Sequence, residues 1–191
     1  VFQTWMSGAA DLDGLPRIEA GAVDMGAYEY HGETSPSIPT HYVSPGGDNV
    51  APYTNWTTAA WRIQDAIHAA GNGARVLVGR GRYVENINFR GKNIRVESLF
   101  ADTGNEAYIA QTVIDGNHAG PAVTLTNHES AASLKGFTII NGNASGPVNT
   151  MLQRGGGILC YKASPLLSHL VVTGNFAQVV GGGMYFEEAN A

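Results

Sequence analysis

The segment with the clearest potential for chemistry is Asp115-Gly116-Asn117-His118, which combines a carboxylate and an imidazole within one short polar stretch. A carboxylate near an imidazole can transfer protons as a general acid and base. No second acid follows at a comparable position in the next apolar segments, and the chain has no adjacent pair of aspartates of the kind that glycoside hydrolysis needs. We therefore interpret this segment as a turn at the end of a strand.

A small basic group, formed by Arg75, Arg80 and Arg82, is the second candidate. Three cations close together could bind the carboxylates of an acidic glycan, although a solvated face is the commoner use of such a group. Both interpretations stay open from the sequence.

The remaining titratable residues do not form a recognisable site. His128-Glu129 lies in a polar segment without a partner in the sequence, and the surroundings of Glu187-Glu188 are undefined. The lone Cys160 lies inside an apolar strand pattern and is expected to be a core residue. Asp11-Leu12-Asp13-Gly14 lacks the earlier oxygen ligand of a calcium loop, because Ala9 stands there, and predicts a turn. No catalytic residue, metal site or cofactor site is assigned.

A repeat indicates how these residues are positioned. Gly155-Gly156-Gly157 before an apolar strand returns as Gly181-Gly182-Gly183, at an offset of 26 residues. The apolar runs 137–143 and 170–175 form a second related pair. Repeats of about 20–50 residues are typical of solenoids, and parallel connections are almost always right-handed. The pattern predicts an all-β fold, a right-handed parallel β-helix, with left-handed glycines at its corners.

One amphipathic helix is predicted at about 58–70, ahead of the strands. Ala60, Ile63, Ile67 and Ala70 form its apolar stripe. We expect Thr57 as its N-cap, with Trp56 packed on Trp61. This helix would cover the open end of the solenoid, because uncovered strand edges invite aggregation.

Several segments between the strands have predicted roles. Residues 98–111 are expected to form a polar loop, and residues 144–154 an insertion that bulges from the side. Ile94 and Val96 are expected to face inward. Asn141 or Asn143, together with Asn175, are expected to stack at one corner and to satisfy its backbone.

Composition excludes some function classes. Charged residues make up only 14% of the chain and the formal net charge is −5, which argues against nucleic acid or an anionic membrane as a partner. No apolar run is long enough to span a membrane. The chain begins at Val1 without a leader pattern and reads as a piece of a longer protein. An exposed last repeat would favour end-to-end pairing of the isolated chain.

Three regions follow from these patterns. Residues 1–31 read as the end segment of a preceding module, residues 32–41 as a linker rich in proline and small polar residues, and residues 42–191 as the first part of the β-helix.

From Trp61 onward the order of motifs resembles the right-handed parallel β-helix proteins of the pectate-lyase-like superfamily, of the bacterial "probable pectate lyase" or "right-handed β-helix repeat" type. The resemblance covers about residues 42–191 and rests on short motifs: 76–78, 81–87, 92–94, 112–117, 136–144 and the two triple-glycine strands. Residues 11–30 resemble the end segment of such modules, Asp-Gly-x-Pro-Arg followed by Val-Asp-x-Gly-Ala-Tyr-Glu-Tyr.

The resemblance implies a secreted or surface bacterial protein, but it does not by itself settle the activity. Lyases of this superfamily use an Arg or Lys base, with Ca²⁺ held by two or three carboxylates. Their signatures, Trp-x-Asp-His and Arg-x-Pro-x-x-Arg, are absent here. We expect a scaffold or carbohydrate-contacting module without a complete active site, with acidic polysaccharide as a possible partner. The alternative is the N-terminal half of a lyase or hydrolase whose catalytic residues follow residue 191; for a lyase, the resemblance implies Ca²⁺ as the cofactor.

Overall fold

The computed structural model describes residues 18–19, 22–23 and 37–188. The chain divides into two compact units, 1–37 and 38–191. In the first unit, strands β1 (Ile18–Glu19) and β2 (Ala22–Val23) pair antiparallel. The predicted turn at 11–14 and most of the predicted end segment lie outside the described residues. The predicted region limits at 31 and 41 stay predictions.

The second unit is built from short strands. They are β3 (Thr40–Val43), β4 (Arg75–Val78), β5 (Gly81–Val84), β6 (Ile87–Asn88), β7 (Arg95–Ser98), β8 (Thr112–Asp115), β9 (Val123–Leu125), β10 (Ser133–Ile140), β11 (Asn143–Ala144), β12 (Ile158–Tyr161), β13 (Leu166–Val172), β14 (Phe176–Ala177) and β15 (Met184–Glu187). All pairings between these strands are parallel.

The strands form a seven-stranded sheet, a four-stranded sheet and a short pair. The largest sheet runs in the order β3-β4-β7-β10-β8-β5, with β13 also paired to β10. The four-stranded sheet runs β15-β12-β9-β6, and β11 pairs with β14. Strand β10 is the junction of the large sheet, because its first residues pair with β7 and its last residues pair with β8.

The prediction of an all-β parallel β-helix is wrong, since the class is mixed. Of the described residues 12% are helical and 36% lie in strands, and the main assembly is the seven-stranded parallel sheet. The physical reason lies partly in β10, which runs through Gly136 (φ 84°) and joins two sets of strands that a solenoid would keep apart.

The second reason is the segment 98–111, which is not a loop. It forms helices α2 (Phe100–Thr103) and α3 (Ala107–Gln111). Gly104 ends α2 in the left-handed conformation, and the Asn105 side chain accepts a hydrogen bond from the Ala107 amide at the start of α3. These are ordinary helix stop and start signals. The sequence analysis predicted a loop here because the segment is polar.

Helix α1 (Ile63–Ala69) is shorter than predicted and is held at both ends by distant side chains. Its N-cap position is Arg62, not Thr57, and no local side chain caps it. Instead the buried Glu85 carboxylate accepts hydrogen bonds from the amides of Ile63 (2.8 Å) and Gln64 (3.0 Å). Desolvation on burial raises the pKa of Glu85.

At the other end of α1, the Lys92 ammonium donates to the carbonyl oxygens of Ile67, His68 and Ala70, each at 2.8 Å. A cation at a helix C-terminus satisfies the last carbonyl groups and opposes the helix dipole. Seven residues are too few for a stable isolated helix, so these two contacts and the buried stripe hold it. The tryptophan contact was predicted wrongly: Trp56 packs edge-on against Tyr42, and Trp61 donates its indole N–H to the Gly47 carbonyl (2.5 Å).

The core lies between the sheets and α1. The predicted inward residues Ile94 and Val96 are fully buried, as is the apolar stripe of α1, and the largest enclosed side chains are Phe89 and Phe137. Cys160 is also fully buried, which confirms its assignment as a core residue, and its burial raises the pKa of the thiol to about 11.

Glycines permit close contact between neighbouring strand connections. A Cβ atom on Gly142 would collide with the Gly156 carbonyl, and one on Gly156 would collide with the Phe176 carbonyl. The predicted left-handed corner is confirmed at the first glycine of each triplet, Gly155 (φ 64°) and Gly181 (φ 70°).

We predict that Gly142→Ala destabilises the fold by about 3 kcal/mol, because backbone cannot move aside as a flexible side chain can. Gly71→Ala is the matched control, since Gly71 has open space where the Cβ would lie and its φ is not positive. Urea denaturation of both variants measures the difference. Equal unfolding free energies for the Gly142 and Gly71 variants would contradict the close contact between Gly142 and the Gly156 carbonyl.

We predict that Lys92→Met lowers the free energy of unfolding by about 1–2 kcal/mol, because three helix carbonyls lose their charged donor while the aliphatic stem remains. Lys162→Met serves as control, since the exposed Lys162 ammonium pairs with Glu188 (3.6 Å) and lies 5.0 Å from the centre of the Tyr161 ring but touches no helix carbonyl, and it should change stability by less than about 0.5 kcal/mol. If thermal and urea unfolding show no excess loss in the Lys92 variant, the clamp does not stabilise the helix.

Candidate functional site

Asp115 ends strand β8, is 2% exposed, and is fully engaged by the protein. Its carboxylate pairs with Arg82, and it accepts hydrogen bonds from the Asn117 amide (2.9 Å) and from the Asn141 side chain (3.1 Å). Burial by itself would raise the pKa of Asp115, but these hydrogen bonds and the Arg82 charge outweigh it, so the pKa is lowered. The carboxylate therefore stabilises a turn, as predicted, and is poorly suited to accept a proton.

His118 does not form a catalytic pair with Asp115. Its main chain is left-handed (φ 54°), and its amide donates to the Asn141 carbonyl (2.8 Å). No hydrogen bond joins its imidazole to Asp115 in the described part of the chain, and the ring lines a separate groove that is treated below.

The structure does not gather the three predicted arginines into one site. Arg75 pairs with Glu97 (2.7 Å) and Asp102 (2.6 Å). Arg82 pairs with Asp115, and the Arg80 guanidinium lies 5.6 Å above the Tyr108 ring.

Parallel pairing instead brings Arg75 next to Arg95, which the sequence analysis did not identify as a candidate. In the large sheet Arg75 on β4 is directly opposite Arg95 on β7, and Glu97 on β7 is directly opposite Lys135 on β10. We call the resulting surface the cationic groove. It has a volume of about 340 Å³ and is lined by Ile38, Thr40, Arg75, Arg95, Glu97, Ala101, Asp102 and Lys135.

Charge in the cationic groove is unevenly compensated. Burial lowers the pKa of Arg75, but the carboxylates of Asp102 and Glu97 outweigh it and raise that pKa, so both acids are committed to this one guanidinium. Arg95 is half-buried, and its guanidinium has no hydrogen-bond or ion-pair partner among residues 37–188. Lys135 only approaches the face of Phe100, at 5.6 Å. Arg95 lies directly opposite the like-charged Arg75, an arrangement that is destabilising across neighbouring strands, so an anion bound to the Arg95 guanidinium would be favourable.

The other predicted residues have structural partners. Glu129 is fully buried and accepts hydrogen bonds from the amides of Gly91 (2.8 Å) and Asn127 (2.7 Å), whereas His128 is exposed. Glu187 pairs with Arg154 and accepts a hydrogen bond from the Tyr185 hydroxyl (2.6 Å).

The predicted asparagine corner is only partly as expected. Asn175 satisfies corner backbone, since it accepts from the Gly142 amide (2.7 Å) and donates to the Ile139 and Thr173 carbonyls. Asn141 instead donates to Asp115, and Asn143 donates to the His118 carbonyl (3.3 Å). The three side chains do not hydrogen-bond to one another.

Sequence reasoning missed Glu85, Arg95 and Lys135. A usable signal existed for Arg95, because Arg75-Val76 and Arg95-Val96 repeat the same outward-inward pair at the starts of two strands. Lys135 and Glu85 carried no such signal, since their partners are set by pairing over long distances in the chain.

Within residues 37–188, no cluster of three or more His, Cys, Asp or Glu side chains could hold a metal ion. No described helix combines the length and the apolar character that crossing a membrane requires.

Comparisons with protein-family models, with curated proteins and with solved structures found no match for this chain. The resemblance to the pectate-lyase-like superfamily therefore stays a prediction.

The lowered pKa of Asp115 predicts the pH dependence of stability. The ionised form is favoured in the folded state, so its contribution is present above about pH 3.8, the ordinary value, and is lost as pH falls through the lower folded pKa. We expect Asp115→Asn to cost about 1–3 kcal/mol near neutral pH, because it weakens the pairing with Arg82 and the Asn117 amide.

Urea unfolding of wild type and Asp115→Asn across this acidic range tests the prediction. The gap in unfolding free energy should narrow as pH falls. A gap that is constant with pH would mean that the charge of Asp115 contributes nothing.

Proposed function

We propose that this chain is a carbohydrate-contacting scaffold module of a secreted or surface bacterial protein, and that it binds acidic polysaccharide at the cationic groove. The observation that carries the proposal is the Arg95 guanidinium, which is half-buried beside Arg75 and Lys135 and has no partner in the described part of the chain. Guanidinium groups bind carboxylates through paired, charge-assisted hydrogen bonds.

The arrangement of the sheet supports an extended ligand. Neighbouring parallel strands are about 4.8 Å apart, and outward residues at equivalent positions, such as Thr40, Arg75, Arg95 and Ser133, form a straight row across four strands. A polymer lying along this row would meet hydroxyl and guanidinium groups in turn. A net excess of one positive charge among the lining residues favours a polymer with carboxylates over a neutral one.

No observation on the described residues favours the alternative, a lyase or hydrolase. Asp115, the acid best placed in the sequence for catalysis, is committed to Arg82, Asn117 and Asn141. That alternative stays a prediction.

The test is to measure binding of polygalacturonate and of its uncharged, methyl-esterified form. Retardation in affinity gels and calorimetry both report this binding. We expect wild type to bind the acid form more tightly than the ester, and binding of the acid form to weaken as salt is added. Arg95→Ala should weaken binding about tenfold or more, the effect of losing a hydrogen bond to a charged group of about 1.5–3 kcal/mol.

Arg80→Ala is the matched control, because it removes the same charge from an exposed position outside the cationic groove. It should bind as wild type does. Equal loss in the two variants, or no binding by wild type, would overturn the proposal.

A further inference from the structure

A second groove lies on the outer side of the four-stranded sheet. It has a volume of about 350 Å³, within the usual range for small-molecule sites. We call it the amide groove. Its walls are the strand β6 region, the turn 118–121 and the segment 143–152, and it is lined by Asn86, Ile87, Asn88, His118, Ala119, Gly120, Pro121, Thr124, Asn143, Ser145, Gly146 and Leu152.

Two asparagines of the amide groove are held rigidly while one end of each amide is free. The Asn86 amide nitrogen donates to the carbonyls of Gly116, Gly120 and Pro121, which leaves its Oδ1 atom without a partner. The Asn88 Oδ1 atom accepts from the Arg90 amide (2.7 Å), which leaves its Nδ2 atom without one. The groove thus presents a fixed acceptor and a fixed donor, and such preorganisation lowers the entropic cost of binding.

A third asparagine is incompletely satisfied. The Asn143 side chain makes one long hydrogen bond, from Nδ2 to the His118 carbonyl (3.3 Å), and its Oδ1 atom is buried without a partner. Buried polar atoms are nearly always hydrogen-bonded, and an exception calls for an explanation. The His118 ring and the Ser145 hydroxyl, both on exposed residues of the groove, also have no hydrogen-bond partner among the described residues.

The amide groove and the cationic groove differ in the charge of their lining residues, and they therefore favour different ligands. None of its described lining residues is Asp, Glu, Lys or Arg, so an ionic ligand would lose hydration without gaining a counter-charge. Leu152, which is 46% exposed, and Pro121 offer apolar surface beside the amides. A ligand that carries alternating hydroxyl groups and apolar C–H faces would match this combination of amide groups and apolar surface.

We propose that the amide groove binds a neutral, hydroxyl-rich ligand, a neutral sugar unit, through Asn86, Asn88 and Asn143. This site is separate from the cationic groove and does not rest on its binding of acidic polysaccharide.

The experiment is ¹H–¹⁵N NMR titration of the whole chain with three neutral trisaccharides, cellotriose, mannotriose and galactotriose, and with trigalacturonate as the charged comparison. We expect at least one neutral probe to shift the side-chain amide signals of Asn86, Asn88 and Asn143 at low millimolar concentration. Trigalacturonate should leave these signals in place.

Asn143→Ala should weaken neutral binding about tenfold, because the ligand loses one hydrogen-bonding wall of the groove. The fold should survive, since the main-chain bond from the Asn143 amide to the Gly120 carbonyl remains. Gln111→Ala, which removes an exposed amide side chain on α3, is the matched control. The spectrum of each variant verifies folding.

The inference is overturned if no neutral probe shifts these three signals, if trigalacturonate shifts them equally, or if Asn143→Ala binds as the control does. Arg95→Ala should leave neutral binding unchanged, and Asn143→Ala should leave polygalacturonate binding unchanged, so failure at one groove is distinguishable from failure at the other.

Discussion

Parallel register is the constraint on which both candidate surfaces depend. Strands laid side by side in parallel place residues with equivalent positions directly opposite one another, so one outward residue type recurs as a row. Arg75 opposite Arg95 and Asn88 opposite Thr124 are consequences of this register. A shift of one residue would turn each row into the core, with a large loss of burial. The arrangement of both surfaces is therefore maintained by the burial of the core residues beneath them.

Register in turn depends on backbone groups that approach closely at the strand connections. The Gly142 and Gly156 positions allow carbonyl groups of neighbouring connections to meet where a Cβ would not fit. At the other end, α1 covers strands β3 and β4 and is fixed by Glu85 and Lys92. Since Glu85 follows β5 and Lys92 follows β6, the two side chains that hold the ends of the helix both come from the region of the sheet strands. The clamp couples local helix formation to the sheet.

We propose that the two grooves separate two kinds of recognition on one scaffold. The cationic groove places an uncompensated guanidinium over the large sheet, where a carboxylate would lower the repulsion between opposed cations. The amide groove holds neutral donors and acceptors whose orientation is set by main-chain groups: carbonyl oxygens accept from the Asn86 side chain, and the Arg90 amide donates to the Asn88 side chain. The proposal of a carbohydrate-contacting module rests on the cationic groove, and the amide groove would add a second, neutral site to it.

The sequence by itself determined that short apolar strands dominate the chain, that the stripe of α1 is buried and that Ile94 and Val96 face inward, because these follow from local periodicity. It also indicated the left-handed glycines and the structural use of Cys160. Only the tertiary structure decided the mixed class, the partners of Asp115 and the pairing of Arg75 with Arg95. Those outcomes depend on how β10 joins its neighbours and on contacts between residues distant in the chain, for which neither composition nor spacing carries a local signal.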